Sequence, residues 1–258
     1  MGPVASRTLR SGTLTRGAVF PLLAATAGYL VMPLLIVFRT SLGATPAGFE
    51  RGPASLIGLA AYSVGLALVS SLLAVAVSLT ASLLTTLDPR FSFCYRIWLL
   101  VLLFTNPIFL VFGFSVLFAR IPPLMAVIAA TSYILLPLSG LIIQSGVDEF
   151  DPAQARAANS LGASPLYVAV NHVIPSIRRV LLAAVCLSTV YALGFFLVPA
   201  YVGLGRIVTL GTVINSLANS VGDWTAASQM CIVTLVAQLV LVLAWLVGAR
   251  LGTRRETA

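Results

Sequence analysis

The chain has no lysine. All 15 basic residues among its 258 are arginine. A Walker A loop uses a lysine to hold the β- and γ-phosphates of a bound nucleotide. The sequence therefore predicts that this chain does not hydrolyse ATP by itself.

Acidic residues are scarce and lie between the long apolar runs. The seven are Glu50, Asp88, Asp148, Glu149, Asp151, Asp223 and Glu256. An ion-coupled transporter usually keeps a carboxylate or a histidine inside the membrane to carry a proton or bind a cation. This distribution argues against a secondary transporter or pump.

The chain has one histidine, and its three cysteines show no Cys-x-x-Cys spacing, so neither a zinc site nor a disulfide framework is indicated. An intramembrane hydrolase would need Ser115 or Ser139 as nucleophile and His172 as base. Its geometry is poor, because His172 lies outside the apolar runs and Ser115 lies deep within one. We predict no catalytic residue, no metal and no cofactor in this chain.

Apolar residues dominate the composition: 59% of the residues are hydrophobic and 9% are charged. A soluble chain has about 25% charged residues. Runs of about 20 apolar residues are long enough to cross a bilayer as helix. The sequence predicts an all-α integral membrane protein with spans at 17–38, 56–84, 97–119, 124–143, 180–199 and 227–248. In the second span Ala67, Ser71, Ala74, Ser78 and Ser82 recur at helical spacing, which predicts a close-packing seam.

The arginines are spread between the spans, which argues against a nucleic-acid partner. With the N-terminus inside, only Arg39, Arg51, Arg120 and Arg206 of the 15 fall outside. Positive residues favour the cytoplasmic side. The sequence therefore predicts cytoplasmic tails at 1–16 and 249–258, a membrane domain at 17–248 in contact with lipid, and a cytoplasmic loop at about 148–178.

That loop is a polar insert with helix start and stop signals. Asp151 predicts an N-cap, and Gln154 can reach back to it as in a capping box. Gly162 predicts a left-handed helix end. Ser164 then predicts the start of a second short helix, which Pro175 ends or kinks.

The first of these short helices is smooth, because Ala157 and Ala158 stand among further alanines. A smooth surface helix suits docking into a groove on another protein. The alternative is a helix that lies on the lipid headgroups, although such helices usually have a stronger apolar face.

The run Asp151-Pro152, Ala157-Ala158, Gly162-Ala163-Ser164 and Ile174-Pro175 resembles the EAA loop of permease subunits of bacterial type I ABC importers. The order of spans matches as well. The resemblance implies a six-helix permease fold in the bacterial inner membrane, with a coupling helix that sits in a cleft of the cytosolic ATPase. The implied coupling residues are Asp151, Gln154, Arg156, Ala157, Ala158, Gly162, Ala163 and Pro175.

The same resemblance implies the partners. These are two cytosolic ATPase subunits that bind ATP and Mg²⁺, a second permease subunit that is identical or related, and an extracytoplasmic solute-binding protein. Two residues depart from the family pattern. Arg156 stands where a Glu is usual, which indicates an adapted partner, weaker coupling or contact with headgroup phosphates. His172 replaces an aliphatic residue and is interpreted as a snorkelling or capping residue.

Because the predicted spans carry no charge, a polar pathway has to use neutral side chains and the backbone N–H and C=O groups that lose their helical hydrogen bonds at breaks. The candidates are Asn106, Pro107, Tyr133, Pro137, Tyr191, Phe195 and Phe196. The prolines predict kinks that serve either gating or packing. The Phe pair is interpreted as a hydrophobic plug.

The stretch from Gly194 to Ser228 resembles permeases of the polyamine, opine, iron and phosphonate branch. Polyamine members commonly have an acid where this chain has Phe195, which disfavours a polyamine. The predicted outer side carries four arginines against Glu50 and Asp223, which favours an anionic solute or docking surface. We expect the chain to transport a small polar solute that a binding protein delivers. The alternative functions are a membrane scaffold without transport and, less favoured, the intramembrane hydrolase.

Overall fold

A computed structural model describes residues 31–42, 53–85, 89–149, 162 and 164–254. The described helices are α1 (Val31–Leu42), α2 (Pro53–Thr85), α3 (Pro89–Phe104), α4 (Pro107–Leu117), α5 (Pro123–Asp148), α6 (Pro165–Val168), α7 (Ile174–Ser176), α8 (Arg178–Gly194), α9 (Leu197–Tyr201), α10 (Leu210–Asn215) and α11 (Trp224–Arg254). A π-helical turn, Ala169–Val173, joins α6 to α7, and a second, Ser216–Val221, follows α10.

Three of the described helices, α2, α5 and α11, are long and apolar enough to cross a membrane singly. They confirm the second, fourth and sixth predicted spans, although α5 continues five residues past the predicted end at 143. Two bent pairs bring the number of possible spans in the described residues to five. The first predicted span, 17–38, is described only from residue 31 onward.

The third predicted span, 97–119, is broken near its middle, where the sequence predicts a kink at Asn106-Pro107. Its residues form two helices, α3 and α4, whose axes are bent by 96° at a short break. The fifth span also differs from the prediction of 180–199. Helix α8 ends at Gly194, Phe195 is extended with φ −92° and ψ 97°, and α9 is a separate helix.

Helix α5 lies at the centre of the bundle and contacts α2, α3 and α8. In its most apolar stretch 67% of the residues are buried, against 39% for α2 and 11% for α11. Since all three helices are strongly apolar, burial distinguishes the central helix from one that presents most of its surface outward. The bundle is therefore built around α5.

The contact of α2 with α5 and α8 forms a seam of small residues and hydroxyls. Ala67, Ser71, Ala74, Ser78 and Ser82 are all at most 2% exposed, which confirms the predicted close-packing face. Small residues let helix backbones approach, and hydroxyls can then bond across the interface.

Two hydroxyl pairs join the helices of this seam. Ser71 Oγ lies 2.7 Å from Thr189 Oγ1 of α8, and Ser78 Oγ lies 2.8 Å from Ser139 Oγ of α5. Ser132 of α5 adds a third link by donating to the carbonyl of Ser70 at 2.9 Å. The seam is thus a hydrogen-bonded framework.

The connection predicted at 200–226 contains short helices that fold back onto the bundle. The backbone N–H of Leu210 donates to Ser63 Oγ of α2 at 3.0 Å. A Cβ at Gly211 would lie 3.0 Å from the Cβ of Phe196, so α10 packs tightly against the break after α8. These contacts hold the end of α8 in place.

Candidate functional site

The break between α3 and α4 follows from its local sequence. Asn106 is the N-cap of α4, and its Oδ1 accepts from the N–H of Ile108 at 3.0 Å. Pro107 takes the first turn of α4, where its missing N–H is not needed. On the other side, the N–H of Thr105 donates to Val101 and Leu102, closing α3. The predicted kink at Asn106-Pro107 is confirmed as a full break.

A cavity of about 100 Å³ lies at this break, between α3, α4, α5 and α8. Its lining consists of Leu102, Leu103, Thr105, Pro107, Leu110, Tyr133, Ile134, Pro137, Leu138 and Tyr191. Four of the pathway residues predicted from sequence, Pro107, Tyr133, Pro137 and Tyr191, therefore line one cavity. We call this region the corner pocket.

Two tyrosines shape the corner pocket and are held by other aromatic rings. The Tyr133 ring meets Phe114 at 5.1 Å and Trp98 at 6.4 Å between centroids, both edge to face. The Tyr191 ring stacks on Phe195 at 6.1 Å. Such ring pairs favour a fixed orientation, so the phenol groups stand on rigid supports.

The pocket is neutral. Its lining carries no Asp, Glu, Lys, Arg or His, and Thr105 Oγ1 already donates to the carbonyl of Val101 at 2.7 Å. Pro137 has no N–H to offer the carbonyl of Tyr133 one turn earlier. Tyr133, Tyr191 and Thr105 are the lining residues with polar side chains, in a surface that is mainly apolar.

The remaining three predicted pathway residues, Asn106, Phe195 and Phe196, do not line the corner pocket, and Asn106 instead caps α4. Phe195 stands behind Tyr191 and supports it. Phe196 packs instead against Gly211 of α10, and it is not among the residues that line the corner pocket. The two neighbours therefore make different contacts.

Most of the predicted coupling residues, Asp151, Gln154, Arg156, Ala157, Ala158 and Ala163, lie outside the described residues. Gly162 is described and has φ +84°, the left-handed conformation predicted for it. The N–H of Tyr167 donates to Ser164 Oγ at 3.2 Å, which confirms the second helix start.

The segment after the insert is anchored to the bundle core. Val168, Val173 and Ile177 are buried together with Ile143 and Val147 of α5. The chain bends by 63° between Ala169–Ser176 and α8, which confirms the kink predicted near Pro175. His172 is exposed, and its ring meets Tyr167 at 6.2 Å. The segment from Val168 to Ile177 is therefore fixed against α5 just before α8 begins.

Sequence reasoning missed three features of this region. One is the π-helical turn at Ala169–Val173, which no local residue pattern announces. Another is an ion pair between Arg96 and Asp148, whose partners are 52 residues apart. The third is the packing of α10 against Phe196. Each depends on tertiary contacts, and only the small residue Gly211 gave a signal for the third.

The described contacts do not assemble a hydrolase. Ser115 Oγ donates to the carbonyl of Phe112 at 2.7 Å, and Ser139 Oγ is bonded to Ser78. No hydrogen bond in the described part of the chain joins His172 to either serine. Nor do any three His, Cys, Asp or Glu side chains among the described residues form a group that could hold a metal ion.

The apolar bundle, with an uncharged pocket at a broken span, defines a polytopic membrane protein. A model of the family described as "Binding-protein-dependent transport system inner membrane component" matches residues 78–251. The chain belongs to this family, which confirms the resemblance to ABC importer permeases. The family consists of transporter permeases and not of enzymes.

A curated relative is the spermidine/putrescine transport system permease protein PotB of Escherichia coli (strain K12), 30% identical over 132 residues. The match covers 51% of this chain and 48% of the relative, so the chain spans about half the length of the curated relatives it matches.

Two solved structures share the fold. One is of a bacterial ABC transporter involved in the import of the acidic polysaccharide alginate, with a TM-score of 0.69 at 13% identity, covering 92% of this chain and 95% of that one. The other is of a bacterial alginate ABC transporter in complex with an alginate pentasaccharide-bound periplasmic protein, with a TM-score of 0.61 at 13% identity, covering 90% and 92%. These matches confirm the predicted all-α type I ABC importer permease fold.

Proposed function

We propose that this chain is one permease half of an ATP-driven importer, and that the corner pocket is its part of the solute pathway. The observation that carries the proposal is the convergence of Pro107, Tyr133, Pro137 and Tyr191 on one cavity at a broken span. Residues chosen from the sequence as breaks or neutral polar groups meet there, in a chain of a transport family.

The partners follow from this role. Two cytosolic ATPases bind ATP and Mg²⁺ and dock on the segment from Asp151 to Ala163, with Ala157 and Ala158 on the docking helix. A second permease subunit completes the pathway, and an extracytoplasmic binding protein delivers the solute. The solved alginate transporter complexed with a periplasmic protein supports the last partner. Both termini and the docking segment face the cytoplasm of a bacterial cell.

The solute is a small polar molecule recognised by hydroxyl groups and aromatic rings. The matched relatives are named for spermidine and putrescine, and opine- or phosphonate-like solutes belong to the same branch. The pocket lining has no carboxylate to pair with a polyamine. Aromatic faces attract cations more weakly than a carboxylate does. We therefore favour a neutral or anionic solute over a polyamine.

The test is reconstitution of the chain in proteoliposomes with candidate ATPases and binding proteins from its own genome. Replacing residues 152–162 by a Gly-Ser linker of equal length keeps the spacing and removes the docking helix. We expect the replacement to abolish stimulation of ATP hydrolysis while the chain still inserts in the membrane.

Uptake of radiolabelled spermidine, putrescine and a phosphonate then ranks the solutes. Full ATPase stimulation by the linker variant would contradict docking through this segment. Complete assembly without ATP-dependent uptake of any solute would favour the scaffold alternative.

A further inference from the structure

Four polar side chains join three helices at the root of the docking segment. Arg96 Nη2 of α3 lies 2.7 Å from Asp148 Oδ1 of α5. The amide Nε2 of Gln144 donates to the same oxygen at 3.0 Å and to Thr85 Oγ1 of α2 at 3.2 Å. We call Thr85, Arg96, Gln144 and Asp148 the polar relay.

The relay stands between two parts of the proposed mechanism. Asp148 is the last residue of α5 and is separated by only two residues from the segment proposed to dock on the ATPase. Arg96 lies on α3, and one to two turns further along this helix Leu102 and Leu103 line the corner pocket. The ion pair thus connects the root of the docking segment to a wall of the pathway.

The charge of Asp148 needs a partner at this place. The C-terminal end of a helix carries the negative end of its dipole, so a carboxylate there is unfavourable unless a cation compensates it. Arg96 supplies that cation, and a charge-assisted hydrogen bond is directional as well as short. The buried amide of Gln144, 4% exposed, holds the same carboxylate oxygen from the other side.

Fold stability does not account for the pair. The two side chains are 48% and 41% exposed, and ion pairs exposed to solvent add little to stability. Helix α3 is already packed on α5 elsewhere, because a Cβ at Gly140 would meet Leu99 Cδ2 at 2.7 Å. The Arg96–Asp148 pair instead fixes the position of the C-terminal end of α5 relative to α3.

We infer that the polar relay transmits displacement of the docking segment to α3 and so to the corner pocket. This inference rests on the proposed function. Arg96 and Asp148 act as positioning residues that hold the end of α5 on α3, while Gln144 and Thr85 include α2 in the same unit. Without the ion pair, a displacement of the α5 end is no longer passed to Arg96, and α3 follows α5 only through the packing of Leu99 on Gly140.

The experiment measures the accessibility of a pocket residue, so it does not require the solute to be known. A variant in which Cys94, Cys186 and Cys231 are replaced by alanine receives Leu103→Cys, at a pocket position that is 48% exposed. It is assembled with the partner ATPase in lipid nanodiscs. The rate of labelling by a water-soluble methanethiosulfonate is measured with and without a non-hydrolysable ATP analogue.

With the relay intact, we expect nucleotide to change the labelling rate roughly fivefold or more, as is typical of coupled sites. Arg96→Gln and Asp148→Asn should each reduce this change to less than about twofold. The exchange Arg96→Asp with Asp148→Arg should restore it, since the Gln144 amide can turn its oxygen towards the new arginine. Arg96→Lys keeps the charge and should retain most of the response.

The matched control is Arg206→Gln, which removes an exposed arginine near the other end of α5 and should leave the response unchanged. A full response in Arg96→Gln and Asp148→Asn would overturn the relay while leaving the proposed function intact. An exchange variant that responds no better than the single variants would also overturn it. Absence of any nucleotide response with the relay intact would overturn the proposed function, and the relay with it.

Discussion

The seam of α2, α5 and α8 and the corner pocket are both built from hydroxyl-bearing side chains between membrane helices, yet they behave in opposite ways. In the seam, Ser71 and Thr189 lie 2.7 Å apart, and Ser78 and Ser139 lie 2.8 Å apart. In the pocket, the phenols of Tyr133 and Tyr191 line a cavity. The seam hydroxyls bond to each other across the helix contact, whereas the corner pocket leaves a space of about 100 Å³.

The difference lies in helix continuity and in which groups already have partners. Small residues along continuous helices let the backbones approach until hydroxyls bond to each other. At Asn106-Pro107 the helix stops and turns, so large aromatic side chains hold the neighbouring helices apart. Polar residues in a membrane bundle thus form a framework where they pair and a pathway where they face a cavity.

The largest effect should come from overfilling the seam side of α5. A Cβ at Gly146 would already lie 3.0 Å from both methyl carbons of Val180 on α8, and Val180 is β-branched and stiff. Gly146→Leu should therefore lower the free energy of unfolding by about 3 kcal/mol. Thermal unfolding of the purified chain in detergent, followed with a thiol-reactive dye, measures this loss.

The matched control is the same substitution in the broken span. Nothing lies within 4 Å of a Cβ at Gly113 in α4, and replacing a helical Gly with Leu gains up to about 1 kcal/mol of helix propensity. Gly113→Leu should thus be neutral or slightly stabilising. Equal losses at both positions would contradict the distinction between a tight seam and an open corner.

A smaller effect, on transport alone, is expected from the pocket hydroxyls. Tyr133→Phe and Tyr191→Phe keep the rings on Phe114 and Phe195 and remove only the hydroxyl of a residue that lines the cavity. The loss of one hydrogen bond to solute should reduce ATP-driven uptake by about two- to tenfold. Initial uptake rates in proteoliposomes measure this, and the unfolding temperature should not change.

Tyr201→Phe is the control for the pocket tyrosines. Its ring contacts Phe112 at 5.4 Å, and it does not line the pocket. The uptake rate of this variant should equal that of the unchanged chain. If all three variants lose uptake equally, the hydroxyls act through the membrane surface or the fold and not through the pocket.

Much of the framework was predictable from sequence, because its signals are periodic or local. The small residues from Ala67 to Ser82 repeat along one helical face, and burial follows from that repeat. Asn106 and Pro107 together predict a helix start, because Asn is a preferred N-cap and Pro a preferred first helical residue. The size of the bend was not predictable, since caps and prolines end a helix without setting the direction of the next one.

The candidate site was predictable in its members but not in its assembly. Tyr133 and Tyr191 are recognisable in the sequence as polar groups within apolar runs, but their meeting in one cavity depends on the packing of α5 and α8 against the broken pair α3 and α4. The contact of Arg96 with Asp148 depends on the relative register of α3 and α5, which sequence spacing does not encode. Phe195 and Phe196 are adjacent in sequence, yet the break after Gly194 sends them to different neighbours.

The smallest effect tests the seam through a single hydroxyl pair. A double-mutant cycle of Ser78→Ala and Ser139→Ala should give a coupling energy of about 0.6 kcal/mol, the average for such bonds in membrane proteins. The value is small because Ser139 Oγ can still donate to the carbonyl of Leu135, at 3.1 Å, when Ser78 is removed. Equilibrium unfolding of the four variants in mixed detergent measures it.

Ser115→Ala paired with Ser78→Ala is the control cycle, because Ser115 bonds within its own helix and should show no coupling. A Ser78–Ser139 coupling indistinguishable from that control would mean that packing of small residues holds the seam without help from its hydroxyls. A value above about 2 kcal/mol would exceed what such bonds supply in membranes. It would imply that Ser139 Oγ no longer donates to the carbonyl of Leu135 once Ser78 is replaced. The stability of the seam would then depend on this single hydroxyl pair, much as solute binding in the pocket is expected to depend on single hydroxyls.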